Sequence, residues 1–263
     1  MGGVSEEKTH VLFASFGNDS IALIQWMAEH GYSGRAFVVF SETGWGSNGW
    51  GERVALGEGL ARSRGFEPVR IKPNSPIEDG FVSLVRLKKG FPRNGMQFCT
   101  GLLKIEPAMR WLEKIDPDKD LTCCVGVRRQ ESQNRQRWPE FTPESSAHGG
   151  RELWAPLVRV LEPERDALIR RAGFEPLPHR SQECFPCINA NKADLRLLTE
   201  DRIAEIEALE KDMGFTSKGN PRVMFRPYRH MGATGIREVV KWAHSSRGEY
   251  EPPSGCDSGM CGI

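Results

Sequence analysis

The chain has 263 residues, enough for one large α/β domain with an appendage, and its 36 Lys and Arg against 35 Asp and Glu leave a net charge of +1. That balance excludes a strongly basic, non-specific nucleic-acid binder but leaves room for a local basic face. No run of about eighteen apolar residues occurs and residues 1–10 lack the apolar core of a signal peptide. A cytoplasmic protein with no membrane partner is therefore expected, whose seven cysteines serve as buried thiols, metal ligands or redox groups rather than disulfides.

In chain order, the apolar run Val11 to Ala14 reads as a buried parallel strand. Ser15-Phe16-Gly17-Asn18-Asp19-Ser20 reads as a tight turn opening a helix, whose apolar positions Ile21, Leu23, Ile24, Trp26 and Met27 stop at Gly31. Ser15, Asn18, Asp19 and Ser20 can each cap a helix start, and the N–H groups of a helix start suit an anion. The turn is thus a candidate phosphate cradle, with an ordinary capped turn as the alternative. Arg35 to Phe40 reads as a second strand that ends in Glu42-Thr43-Gly44, at the edge where open parallel sheets bind ligands. A helix over 51–65 and a strand over 68–71 continue the alternation, which predicts right-handed crossovers and a doubly wound, mostly parallel α/β sheet. A helix over 79–89 runs into the basic loop Lys88-Lys89-Gly90-Phe91-Pro92-Arg93, either a solvated face or a phosphate screen.

Cys99 precedes Lys104 and a helix with Met109, Trp111 and Leu112 inward, an arrangement that by itself fits a buried thiol on a core helix. Asp120 to Gly126 reads as a strand in which the adjacent Cys123 and Cys124 point to opposite faces. It leads to Arg128, Glu131, Ser132 and Arg135, and guanidinium forks at a strand's carboxyl end suit phosphate or sulfate. Residues 138–150 read as a mobile loop, and 153–158 precede a helix over 162–172. Cys184-Phe-Pro-Cys187 has three readings: a zinc knuckle, a redox pair or cluster ligation. A single amphipathic helix is predicted over 194–213 and a short one over 236–243. Between them, Lys218, Arg222, Arg226, Arg229 and His230 alternate with Phe225 and Tyr228, as on a nucleic-acid or anionic-substrate surface or a plain solvated loop. The expected division is a nucleotide-binding domain over 1–175 and a cysteine-containing, mainly helical segment and tail over 176–263.

These motifs resemble a known family. Ser15 to Ser20 looks like the Ser-Gly-Gly-X-Asp-Ser loop of the PP-loop pyrophosphatases, with Phe16 in place of the first glycine as in relatives of phosphoadenosine phosphosulfate (PAPS) reductase. Glu42-Thr43 matches the family's acidic-Thr-Gly segment near the adenosine. Cys99-Thr-X-X-Leu-Lys104-X-X-Pro107 is similar to the reductase segment whose cysteines bind an iron–sulfur cluster and whose basic residue faces the substrate. Arg128, Glu131, Ser132 and Arg135 match Gly-X-Arg-X-X-Glu-Ser-X-X-Arg. The four motifs together, in order from about His10 to Cys187, imply an adenine nucleotide alpha-hydrolase-like fold. They also imply a nucleotide site built from Ser15, Phe16, Gly17, Asn18, Asp19, Ser20, Glu42, Thr43, Arg128, Glu131, Ser132 and Arg135.

The resemblance further implies a 4Fe-4S cluster on Cys99, Cys184, Cys187 and Cys256, with zinc as the alternative. Two departures are visible: Phe98 stands where the cluster enzymes have a second, adjacent cysteine, and Met260-Cys261-Gly262-Ile263 differs from the reductases' Glu-Cys-Gly-(Leu/Ile)-His tail. The first expectation is ATP- and magnesium-dependent sulfur transfer, similar to the PP-loop proteins of DNA phosphorothioation and tRNA thiolation. Asp19 would help hold magnesium, Lys104 and Arg128 would act in catalysis, and Cys261 would carry sulfur. The second is a sulfonucleotide reductase with PAPS as nucleotide, Cys261 as nucleophile and thioredoxin as reductant. The third is a non-catalytic nucleic-acid-binding module with a structural metal. Expected partners are the adenine nucleotide, a nucleic-acid acceptor, a sulfur donor or thioredoxin, and a second copy in a homodimer.

Overall fold

Val11, Leu12 and Phe13 are at most 1% exposed, and an apolar run covered on both faces is what a central parallel strand requires. They form β1 (His10–Phe13), which pairs in parallel with β2 (Ala36–Ser41) on one side and β4 (Thr122–Cys124) on the other. β3 (Glu67–Ile71) pairs in parallel with β2, and β6 (Arg151–Trp154) with β4, while β5 (Phe141–Ser145) closes that edge antiparallel to β6. The sheet order is β3-β2-β1-β4-β6-β5. The structure is a computed structural model and describes residues 8–93, 95–225 and 233–246. Cys256, Cys261 and the stretch Arg226 to His230 lie outside the described residues.

Strand pleating sorts the core into two faces. Leu12, Val38, Phe40 and Cys124 pack with α1 (Asn18–Glu29), α2 (Trp50–Ser63) and α6 (Glu162–Arg171). Val11, Phe13, Val39 and Cys123 pack with Ala108 and Leu112 of α5 (Glu106–Ile115). Cys123 and Cys124 thus do face opposite sides, and burial pushes the Cys123 thiol up to about 12, as befits a core residue. A third cluster joins Trp45 with Phe81 and Leu84 of α3 (Phe81–Lys88), and with Leu195 of α7 (Lys192–Arg196), Ile206 of α8 (Glu200–Met213) and Val239 of α9 (Ile236–Ala243).

Two expectations change. Residues 138–150 are not a loop throughout, because β5 occupies 141–145 and Gly149 and Gly150, both at positive φ, turn the chain back into β6. The strand was hidden by its polarity and by Pro143, which an edge strand tolerates because one side of its ladder is unpaired. The helix expected over 194–213 is two helices: α7 ends at Arg196, and Thr199 starts α8 by accepting a hydrogen bond from the Arg202 N–H at 3.4 Å. Leu195 and Leu198 keep a helical spacing across the break, so the apolar period conceals it.

The strand order reverses between β1 and β4, and open α/β sheets bind ligands at the carboxyl ends of the strands flanking such a point.

Candidate functional site

The turn after β1 commits every polar side chain elsewhere than to capping α1. Ser20 Oγ accepts from the Ser15 N–H at 3.0 Å and lies 3.3 Å from Ser15 Oγ. Asn18 pairs through both ends of its amide with the Leu177 backbone, at 2.9 and 2.8 Å, and Asp19 accepts from Arg128. The N-cap is therefore Gly17, with no side-chain hydrogen bond. Gly17, Asn18, Asp19 and Ser20 line a cavity of ≈ 700 Å³, so the first N–H groups and the positive dipole end of a 12-residue helix serve that cavity. Phe16 does not line it. Its backbone is left-handed at φ 58° and its fully buried ring lies against Phe40, with centroids 5.7 Å apart, while Arg53 Nε donates to its carbonyl at 3.1 Å.

Facing the turn is Arg128, 4% exposed, whose Nε donates to Asp19 Oδ1 at 2.5 Å. Its Nη1 is buried without a hydrogen-bond partner. A buried donor left unmet costs on the order of 1–3 kcal/mol, and here it belongs to a cation that lines the same cavity as the start of α1. Gly126 permits the approach: a Cβ there would stand 3.0 Å from the Asp19 carbonyl oxygen. Next to this pair, Arg135 donates to Glu131. Burial pushes the Glu131 carboxyl up, Arg135 draws it back and Asp19 adds to the rise, so the two carboxyl groups share one electrostatic site.

The other wall carries sulfur. Cys99 sits on α4 (Phe98–Thr100), which passes through a π-helical turn, Gly101–Ile105, directly into α5. Such wide turns are rare and recur at functional sites. Lys104, on the turn, donates to Glu183 Oε1 at 2.5 Å, and both side chains are 8% exposed. Burial opposes the Lys104 charge, but Glu183 and the thiols of Cys184 and Cys187 outweigh it and hold the ammonium charged. Ser181 donates to the second Glu183 oxygen.

The segment after β2 clasps the Cys-X-X-Cys loop. Thr43 Oγ1 donates to the Glu183 carbonyl at 2.7 Å, the Phe185 N–H to the Trp45 carbonyl at 2.7 Å, and Trp45 Nε1 to the Pro186 carbonyl at 3.2 Å. Cys99, Cys184 and Cys187 all line the cavity. Burial pushes all three thiols up; Cys187 raises Cys99 and Cys184 further, and Lys104 opposes the rise in each. Among the described residues no three His, Cys, Asp or Glu side chains are set to hold a single metal ion. A four-iron cluster would take each thiolate on a different iron, a wider spacing than the ligands of one tetrahedral ion have.

Of the residues singled out in the sequence, Ser15, Gly17, Asn18, Asp19, Ser20, Thr43, Cys99, Lys104, Arg128, Glu131, Arg135, Cys184 and Cys187 line one cavity. Phe16, Glu42 and Ser132 do not. Glu42 turns outward to Lys72 at 3.8 Å, and Ser132 is the extended joint between two short 3-10 turns, Arg129–Glu131 and Gln133–Arg135. The cavity also takes Arg165, Arg180 and Glu183, which the motifs did not single out. Glu183 stands beside the Cys-X-X-Cys pair, but nothing in the sequence marks its burial against Lys104; Arg165 lies on a helix whose polar pattern suits solvent.

No curated protein sequence matches the chain. A crystal structure of phosphoadenylyl-sulfate (PAPS) reductase from Candida auris, in a phosphate complex, is similar at 15% identity with a TM-score of 0.44, over 64% of this chain and 73% of that one. The family model of the phosphoadenosine phosphosulfate reductase domain matches residues 9–217. With four ordered motifs converging on one cavity of a doubly wound sheet, the chain belongs to the PAPS reductase domain family.

Proposed function

We propose that the cleft binds ATP with magnesium and carries out sulfur transfer to an acceptor activated as its adenylate. The observation that carries this reading is Asp19 at the start of α1, paired with an Arg128 whose Nη1 has no partner. A phosphate oxygen would satisfy that donor, while the N–H groups of Gly17 to Ser20 receive the remaining charge. An acceptor oxygen attacks the α-phosphorus, and the bond to the bridging oxygen breaks with its electron pair leaving on pyrophosphate. A sulfur nucleophile then displaces AMP from the adenylate. The chain's task is electrostatic: Arg128 and Arg135 would meet the charge that develops on phosphorus, and the Asp19 carboxylate, with Glu131 near it, would hold magnesium.

The thiols of Cys99, Cys184 and Cys187 would hold a four-iron cluster, with Cys256, outside the described residues, as fourth ligand; among the described residues they are not set to hold a single ion such as zinc. Such a cluster, when bound, would supply electron or sulfur-relay chemistry beside the cleft. Lys104 offsets the negative charge that thiolates bring into this buried wall.

The test is Asp19→Asn, which keeps the shape of the side chain and removes its charge. The expected result is loss of pyrophosphate release from ATP in a protein that keeps its folded circular-dichroism spectrum but melts at a lower temperature, because the buried Arg128 loses its counter-charge. Undiminished release would refute the ATP-using reading.

A second reading, sulfonucleotide reduction with PAPS as nucleotide and thioredoxin as reductant, is favoured by the family itself and by the terminal Cys261. Its mark is sulfite released from PAPS.

A further inference from the structure

The fold brings together two basic loops that lie far apart in sequence. The first, residues 86–93, is the last turn of α3 and the loop after it, and the second, residues 214–222, follows α8; a Cβ at Gly90 would meet Arg222 Cδ at 3.9 Å. Neither loop contains a carboxylate. Arg86 is paired with Asp212 at 2.9 Å, but Lys88, Lys89, Arg93 and Lys218 form no ion pair among the described residues. The Arg222 guanidinium donates to the carbonyls of Met213 and Phe215 and is paired with no carboxylate among the described residues. In a chain of net charge +1, five cations without a carboxylate partner on neighbouring loops form a local positive patch.

The patch also carries apolar groups in water. Phe215 is 67% exposed, Leu87 52% and Met96 51%. A bare cationic patch serves any anion; cations around an exposed aromatic ring suit an anionic chain with flat bases to stack. The patch is joined to the cleft as well. Arg93 and Met96 pair backbone to backbone in a tight turn, at 3.3 and 2.8 Å, and the next residues, Gln97, Cys99 and Thr100, line the cavity.

We infer that this surface docks a single-stranded polynucleotide, whose phosphates meet Lys88, Lys89, Arg93, Lys218 and Arg222 and one of whose bases stacks on Phe215, beside the mouth of the cleft. The inference rests on the sulfur-transfer reading, because it identifies the acceptor class of that site.

The test measures fluorescence anisotropy of labelled single-stranded DNA and RNA of about 20 nucleotides, long enough to span a site of roughly 4–16. Wild type and the charge-reversal variant K88E/K89E/K218E are compared without ATP across a salt series. Removing three phosphate contacts should weaken binding at least about tenfold and flatten the log–log salt slope by about 2. Phe215→Ala should weaken binding with the slope unchanged. Equal binding by wild type and the triple variant, or no binding of either strand by wild type, overturns the inference.

Pyrophosphate release from ATP is measured on the same samples. If wild type cleaves ATP while the triple variant still binds like wild type, the docking surface fails and the functional reading stands. If binding depends on the patch but ATP is never cleaved, the reading fails and the surface stands.

Discussion

Phe16 stands where the PP-loop pyrophosphatase signature that this loop resembles has its first glycine, and the structure shows what accommodates the ring. Its ring occupies the space that a side chain at residue 57 would fill: a Cβ on Gly57 would lie 2.1 Å from Phe16 Cδ1. Phe16 is fully buried and has nowhere to retreat. Gly57→Ala gains about 1 kcal/mol of helix propensity within α2, but the clash costs more, since overpacking a filled core costs about 1–3 kcal/mol. Urea denaturation should therefore show Gly57→Ala less stable than wild type, and the same change in a Phe16→Ala background neutral or stabilising. Additive effects would mean that the two residues do not compete for space. The loop itself was legible because it is local in sequence. Its partner was not, because nothing at residue 57 announces a ring 41 residues upstream.

At the scale of elements, the β5–β6 hairpin hides a titrating group. His148 is 2% exposed, its Nδ1 lies 2.8 Å from Ser145 Oγ, and its Nε2 has no partner. Burial and the nearby Arg151 cation hold the imidazole down to about 4. In the unfolded chain it titrates near 6.5. Between those values the unfolded chain binds a proton that the fold refuses, so stability falls as pH drops through this window, by up to about 3 kcal/mol. The urea midpoint of wild type should decline faster from pH 7 to about pH 4 than that of His148→Asn; parallel curves would contradict this.

The hairpin is also where the sequence misled. A polar edge strand needs only one apolar anchor, here Phe141 stacked on Trp154 with centroids 5.6 Å apart, and one ring is too little to mark a strand. Buried strands such as β1 and β2 were readable because their apolar runs leave no other structure. The break between α7 and α8 was written only in Thr199, a capping residue inside an unbroken apolar period.

At the scale of the molecule, the sheet supplies two walls of one cleft. The ends of β1 and β4 bring Asp19 and Arg128 together from residues 109 apart. The end of β2 holds the Cys184–Cys187 loop through Thr43 and Trp45, and Trp45 is also buried in the cluster that includes α3, α7, α8 and α9. One side chain thus ties the C-terminal helices to the cysteine wall. Three of the four motifs were legible as a strand end with its following turn, whereas Cys99 to Pro107 lies on helical turns and stood out only through the family resemblance. The convergence of the four was not legible, since it depends on which strands become neighbours.

The central claim is that this cleft cleaves ATP between its α- and β-phosphates in the service of sulfur transfer. The most direct measurement incubates anaerobically purified protein in parallel with ATP, magnesium and a polynucleotide acceptor, and with PAPS and reduced thioredoxin. The account predicts pyrophosphate from the first mixture and no sulfite from the second. Sulfite without pyrophosphate would contradict it and make the chain a reductase.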